Sequence, residues 1–381
     1  MTIQDWPSVE LFTEVASPGL LLNLNLVHNN LEKMLEHVNG DAKRLRPHVK
    51  THKMSGMVSL QREVGIEQFK VATLSEASMV ASCGAEDVLI AYPIVGPNLS
   101  LLGQLIEQYP ETTFSCLVDH PDGLALLKQR FGVGGGVLGS SAPLGVWVDV
   151  DCGMHRTGIE FGDPLDQLRE EIHASRSLFY RGLHVYDGHL HQPDFQERMN
   201  MANQIKERVK VDLASHGDSE VIVGGSPTFR FWAEQSSWQC SPGTPLFWDQ
   251  GYGSNYPELG FSTAIALLTR VISKPDDELV CVDLGYKAVA AEMPLDKRVV
   301  LPAVPDAVFV GQSEEHLVLR TSMAGKLQLG SELLAFPRHV CPTVALHHAA
   351  QVIQDGVLID SPWRVDARDR LLSSHATVSN D

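Results

Sequence analysis

An α/β fold, a (β/α)8 barrel with a second, mostly β domain, is what the pattern of this 381-residue chain predicts. Three observations carry it. Short apolar or β-branched runs alternate with amphipathic stretches over the first two thirds of the chain, as βα units require. Eight such runs can be read, the number that closes a barrel. After about residue 260 the helical periodicity fades and strand-like runs follow one another.

Taken in order, the barrel runs are Leu45–Lys50, Gln68–Ala72, Val88–Tyr92, Thr113–Val118, Gly145–Val150, Gly182–Tyr186, Glu220–Val223 and Trp238–Cys240. A first helix precedes them: Val27, Leu31, Met34, Leu35 and Val38 recur at spacings of three and four and keep one apolar face. Helical stretches then fall at Met57–Val64, Leu74–Ala81, Leu101–Tyr109, Pro121–Phe131, Leu165–Ile172 and Arg198–Leu213. A doubly wound sheet is the alternative. Gly132–Pro143 reads as a glycine-rich linker rather than a phosphate cradle, because no helix follows it directly. In the second domain, strands are expected at Ala264–Ile272, Leu279–Asp283, Ala307–Val310, Leu317–Leu319, Glu332–Ala335, Val352–Gln354 and Val357–Ile359. Gly19–Leu24 fits either domain. The polar tail after Arg370 is expected to fray. The expected division is 25–245 for the barrel and 1–24 plus 246–375 for the β domain.

Composition narrows the function classes. With 30 Lys+Arg against 47 Asp+Glu, the formal charge of -17 disfavours nucleic acid and anionic membrane as partners. No apolar run reaches the ~20 residues of a membrane span. The opening MTIQDWPSVELF lacks a basic segment followed by an apolar one, so no signal peptide is expected. Six cysteines are scattered without CxxC spacing, which points to a reduced, cytoplasmic protein.

Several segments carry chemistry. Arg46-Pro47-His48-Val49-Lys50-Thr51-His52-Lys53 ends the first barrel strand, where barrels place reacting groups. A lysine there, with burial or positive charge nearby, loses its proton readily and attacks carbonyls. The bland reading is a solvated basic patch. Asp149–Gly158 (DVDCGMHRTG) follows strand five. Tyr186-Asp187-Gly188-His189-Leu190-His191 ends strand six. Gly224-Gly225-Ser226-Pro227-Thr228 follows strand seven, and Ser241-Pro242-Gly243-Thr244 follows strand eight. Barrels often bind phosphate after these last strands, and glycines admit close backbone approach; a plain N-cap at Ser226 or Thr228 is the other reading. In His339-Val340-Cys341-Pro342-Thr343, a strand projects His339 and Cys341 to one face, where together they can grip a divalent ion.

Together with the opening SPGLLLNLNLVHNNLEKM, these segments resemble the fold-type III pyridoxal phosphate (PLP) enzymes, in particular the D-threonine aldolase and D-serine dehydratase family with its alanine-racemase-type barrel. The resemblance runs from about Ser17 to Arg370. It implies that Lys50, directly after Pro-His-Val, binds PLP covalently, and that Lys53 does not. It implies that Arg156 reaches the phenolic oxygen of PLP, that Tyr186 lines the site, and that Gly225, Ser226, Thr228, Gly243 and Thr244 form its phosphate side. His189 and His191 are the catalytic candidates facing the substrate; the aldolases usually have His-Gly where this chain has Asp187-Gly188, so both stay open. His339 and Cys341 match the family's metal pair, His-x-Cys in the dehydratases and His-x-Asp in characteristic aldolases. A thiolate favours Zn, with Mn or Mg as harder alternatives. His347 and His348 are expected to be peripheral, and Ser313–His316 matches a segment near the metal. The implied protein is a homodimer that takes a small amino-acid substrate. The implied activity is a PLP- and metal-dependent lyase on D-3-hydroxy amino acids, aldolase-like, with a D-serine dehydratase-like ammonia-lyase, an amino-acid racemase and a non-catalytic PLP carrier as successive alternatives.

Overall fold

In the computed structural model, which describes residues 6–132, 144–217 and 220–370, the chain divides into two compact units. One is built chiefly from His37–Lys50 and Ser55–Gly243, the other from Met1–Glu36, Thr51–Met54 and Thr244–Arg368. The first strand, β1 (Gly19–Asn23), and helix α1 (Leu24–His37) therefore group with the C-terminal residues, apart from the last residue of α1.

The first unit is a parallel sheet of seven strands in sequence order. After α2 (Ser55–Glu63) come β2 (Gln68–Val71), α3 (Leu74–Ser82), β3 (Asp87–Pro93), α4 (Asn98–Gln108), β4 (Thr113–Val118) and α5 (Pro121–Phe131). Then follow β5 (Leu144–Asp149), α6 (Asp163–His173), β6 (Leu178–Val185), α7 (Phe195–His216), β7 (Val221–Val223), α8 (Phe229–Gln235) and β8 (Gln239–Cys240). The alternation predicted for βα units is thus present. Caps mark the helix starts: Thr73 Oγ1 accepts from Glu76 N–H, and Asp194 from Glu197 N–H.

The predicted first strand is a correction. Leu45–Lys50 forms no continuous strand; Leu45 bridges Cys240 and His48 bridges Lys70, both in parallel sense. Arg46 N–H donates to the Cys240 carbonyl, His48 N–H to the Pro242 carbonyl, and the Pro47 carbonyl accepts from Lys70 N–H. These bonds join β8 to β2 and close the ring through an eighth, broken stave. Pro47 has no N–H to continue a ladder, and at Val49–Thr51 the chain turns into a 3-10 helix. The strand-start end of the ring is sealed by charge. Asp87 accepts from Arg46 and Arg181, and both guanidiniums lie over the buried Trp147 ring. Burial raises the Asp87 pKa, but the two cations outweigh it and hold the carboxyl below its ordinary range.

The second unit is a ten-stranded, largely antiparallel sheet. It contains β1, then α9 (Gln250–Asn255), β9 (Ile265–Ser273), β10 (Leu279–Val282), β11 (Val299–Val300), β12 (Val308–Gln312), β13 (Leu317–Arg320) and β14 (Glu332–Pro337). After α10 (Val340–Leu346) follow β15 (Ala349–Gln354), β16 (Val357–Leu358) and β17 (Trp363–Arg364). The central order is β12-β13-β10-β9-β1-β15-β16, with β14 also on β9. Leu20, Leu21 and Leu22 of β1 and Ile265–Leu268 of β9 are all buried, as a strand covered on both faces requires.

A second correction falls here. His339 and Cys341 do not share a strand. β14 ends at Pro337, His339 is the N-cap of α10, and Cys341 lies in its first turn. Pro342 is tolerated there because a first-turn N–H has no intrahelical acceptor, and Asp249 Oδ2 accepts the Val340 N–H at 3.0 Å. The glycine-rich stretch 133–143 and the tail after Arg370 lie outside the described residues.

Candidate functional site

In the parallel unit the polar side chains gather at the strand C-termini. Lys50, half-buried in the 3-10 turn, donates its backbone N–H to His48 Nδ1 at 3.4 Å. Across from it, Lys70 of β2 is 3% exposed. Its Nζ lies 3.4 Å from His184 Nε2, and His184 Nδ1 lies 2.7 Å from Asp149 Oδ1. The Asp149 carboxylate, which also accepts from Thr157 Oγ1, fixes the proton on Nδ1, so Nε2 is left to accept from Lys70. Burial, then the Lys50 charge, pushes the Lys70 pKa down to about 7. Burial likewise lowers the pKa of His184. Sequence reading missed Lys70, Asp149 and His184 as a group. The signal was present: a Lys in Gln-Phe-Lys-Val-Ala and a His in Gly-Leu-His-Val-Tyr interrupt otherwise apolar runs.

Tyr186 lies below two cations, with Lys70 Nζ 5.4 Å and the Arg156 guanidinium 5.2 Å from its ring centroid. Among the described residues Arg156 pairs with no carboxylate, and it is exposed. Asp187 is buried and accepts from Trp232 Nε1 at 2.7 Å; burial raises its pKa, while Trp232 and Thr228 oppose the rise. His189 is partly buried. Its Nδ1 has no hydrogen-bond partner among the described residues, and Gly153, at φ 127°, approaches so closely that a Cβ there would stand 3.0 Å from Nε2. Burial lowers the His189 pKa. His191 is exposed.

The two glycine segments meet. Gly243 N–H donates to Ser226 Oγ at 3.2 Å, and Gly225 N–H to Thr228 Oγ1 at 3.4 Å. Gly224 has φ 74°, and a Cβ on Gly225 would press within 3.1 Å of the Tyr186 ring. Thr244, the next residue in the chain, groups with the other unit, where its hydroxyl is 3.9 Å from Cys341 Sγ.

In the antiparallel unit His339 and Cys341 meet side chain to side chain. His339 Nδ1 donates to Glu292 Oε1 at 2.5 Å, and Thr51 Oγ1 lies 3.1 Å from Cys341 Sγ. Burial opposes the charge on His339, but Cys341 and Glu292 outweigh it and raise the pKa to about 9. Asp249 is buried, which raises its pKa to about 6. Glu292, Thr51 and Asp249 carried no sequence signal. His347 Nε2 donates to the Ala288 carbonyl at 2.7 Å, and Glu314 and Glu315 pair with Lys287 at the surface. Lys53, at φ 55°, accepts Ala367 N–H through its carbonyl. One further group of potential metal ligands, Asp166, Asp212 and His216 in the parallel unit, is an ion-pair cluster: Arg169 reaches both carboxylates, at 3.1 and 2.6 Å.

The chain belongs to the family described as "Alanine racemase, N-terminal domain", matched over residues 22–250. Residues 264–353 match the family described as "Putative serine dehydratase domain". A D-threonine aldolase of Arthrobacter sp is 28% identical, with 93% of each chain covered. A 3-hydroxy-D-aspartate aldolase of Paracoccus denitrificans is 28% identical over 94% of this chain and 93% of its own. The crystal structure of D-threonine aldolase from Filomicrobium marinum superposes with a TM-score of 0.82 at 27% identity, covering 93% of this chain and 96% of that one.

Proposed function

We propose that this protein is a PLP- and divalent-metal-dependent lyase acting on D-3-hydroxy amino acids, of the D-threonine aldolase type. The observation that carries the reading is the meeting of His339 and Cys341 with Glu292 behind the imidazole, a ligand pair for which a racemase has no use. Similarity to two aldolases over nearly the full length supports it.

The residues fit both groups. On the coenzyme side, the close-packed Gly224–Gly225 turn, the hydroxyls of Ser226 and Thr228 and an Arg156 that pairs with no carboxylate among the described residues suit an anionic planar ligand; Gly243 completes the proposed phosphate side. On the metal side, imidazole and thiolate suit Zn better than Mn or Mg. When bound, PLP supplies an electron sink for negative charge developing at the substrate and the metal a Lewis acid.

The chain's own groups do the rest. The Lys50 amine is the nucleophile toward the coenzyme aldehyde. Arg156 offers a permanently charged planar donor, and Tyr186 lies beneath it. His189, whose pKa burial lowers, is neutral near pH 7 and able to take a hydroxyl proton; His191 is the second candidate. His339 presents Nε2 because Nδ1–H is committed to Glu292. The proposed division is a 25–245 barrel for the coenzyme and 1–24 plus 246–375 for the metal. Six cysteines, present as thiols rather than disulfides, suit a reducing, cytoplasmic setting; no helix among the described residues is long and apolar enough to cross a membrane. The homodimer suggested by the family resemblance is tested by light scattering.

The deciding assay incubates the holoenzyme with D-threonine, 3-hydroxy-D-aspartate and D-serine, with and without chelator. Glycine plus aldehyde, lost on chelation, is the expected result; chelator-insensitive turnover or racemised substrate overturns it. A dehydratase is the second reading, favoured by the Cys341 thiol and the match over 264–353. Keto acid and ammonia from D-serine select it.

A further inference from the structure

Arg156 lies on a loop that leaves β5 and returns beside its end. Two backbone bonds close the base of this loop: Asp151 N–H donates to the Ile159 carbonyl and Ile159 N–H to the Asp149 carbonyl, each at 2.9 Å. Before Arg156 the chain takes positive φ at Gly153 (127°) and at His155 (52°), the latter an uncommon conformation for a residue with a side chain. Asp151 holds it there. Its Oδ1 accepts the N–H of Gly153 at 2.9 Å and of His155 at 3.1 Å, and its Oδ2 lies 2.7 Å from His155 Nδ1. After Arg156, Thr157 Oγ1 donates to Asp149 Oδ2 at 2.8 Å and Gly158 N–H to Asp119 Oδ2 at 2.9 Å. A Cβ on Gly158 would stand 2.4 Å from the Asp151 nitrogen, so the two arms of the loop are packed against each other. Acidic residues at strand ends often do no more than accept stray backbone N–H groups. Two features set these apart. They grip the residues on both sides of Arg156, and Asp119 comes from a different strand end, directly after β4. The loop is therefore fixed to the sheet and not only to itself.

We propose that Asp119 and Asp151 are positioning residues that act through Arg156: by holding the backbone before and after it, they keep its guanidinium over the Tyr186 ring, where it can meet an oxyanion of the coenzyme. The guanidinium itself pairs with no carboxylate among the described residues and lies 5.2 Å from the Tyr186 ring centroid. The carboxylates bind its neighbours instead and leave its donors for a ligand. A planar donor recognises an oxyanion by direction as well as charge. If its loop were free, ordering that loop would cost affinity each time the ligand bound.

The inference rests on the reading of Arg156 as a coenzyme-binding group, and the test separates the two. Full-length protein freed of coenzyme is titrated with deoxypyridoxine phosphate, which carries the coenzyme's ring oxygen and phosphate but no aldehyde to react with a lysine. Affinity is read by calorimetry, and amide hydrogen exchange over residues 151–159 by mass spectrometry. Asp119→Ala and Asp151→Ala should each weaken the probe about tenfold and speed exchange in the loop. Asp119→Asn, which keeps an acceptor oxygen for Gly158 N–H, should restore both. Arg156→Ala should weaken the probe by itself, and in that background the two aspartate substitutions should cost no further affinity. Equal losses with and without Arg156 overturn the proposal, as does unchanged affinity in folded Asp119→Ala. If the aspartate variants do not fold, wild-type exchange decides: the amides of Gly153, His155 and Gly158 should be protected, and free exchange at them overturns the proposal. If Arg156→Ala binds the probe as wild type does while loop exchange still responds to Asp119, the coenzyme reading of Arg156 fails and the clamp on its loop stands.

Discussion

In the parallel unit the polar groups come from strands far apart in the chain: Lys70 from β2, Asp149 from β5, His184 from β6, with Tyr186 and Asp187 just beyond β6. In the antiparallel unit one turn, His339–Cys341, supplies the pair, and Glu292, Asp249 and Thr51 brace it. Barrel closure gathers groups by strand order and buries them, so their charges are set mainly by desolvation and by one another. A helix start gathers its pair by local geometry and leaves it half-exposed, and at His339 direct partners outweigh burial. Perturbing the first should therefore alter proton affinities; perturbing the second should alter metal affinity.

The largest effect should come from Lys50→Ala. It removes the nucleophile, so the coenzyme absorbance band and borohydride-trapped label should disappear and turnover should fall by orders of magnitude. A label found on Lys53 would break the assignment. Next, Cys341→Ala or chelation should abolish lyase turnover and leave the coenzyme band nearly intact. Cys341→Asp should keep a site but favour Mn or Mg over Zn, as read by metal titration. Full activity after metal removal would dissolve the contrast between the units. Glu292→Ala frees the His339 ring to rotate. It should weaken Zn binding by roughly 10–100-fold in chelator competition, without moving the coenzyme spectrum.

Stability should follow pH through His52. Burial and the Lys53 charge push its pKa down to about 3, while Met54 N–H binds its Nδ1. The unfolded chain takes up this proton near pH 6.5 and the folded chain does not until about pH 3. His52 stabilisation is therefore complete above pH 6.5 and is lost as pH falls toward 3, by about 5 kcal/mol. Denaturation of His52→Phe should be flatter in pH over that range; an equally steep profile would reject the assignment. The smallest effect is expected at Lys53. Lys53→Ala should retain the coenzyme band and shift stability by less than about 1 kcal/mol, with the backbone carbonyl that accepts Ala367 N–H still in place.

Local pattern was legible wherever a single element carries it. Runs such as Thr113–Val118 and Pro121–Phe131 coincide with β4 and α5 residue for residue, since apolar spacing and a proline at the first helical turn are local properties. The motif segments around Lys50, Arg156, Tyr186, Gly225 and Cys341 also showed in the sequence, being contiguous. The broken stave at Pro47 and the helix start at His339 did not. Each depends on partners about 90 to 200 residues away, Cys240 for Leu45 and Asp249 for Val340.

By itself, then, the sequence determined the βα rhythm, the change to β structure after residue 260 and the contiguous motifs that point to a coenzyme-binding lysine and a metal pair. Tertiary structure alone decided which buried charges face one another. It set Lys70 on the His184–Asp149 pair, put Glu292 behind His339, and left His191 exposed while Gly153 closed on His189. The reason is physical: hydrophobic periodicity is written along the chain, whereas desolvation and Coulomb interactions depend on distances that only the folded chain has.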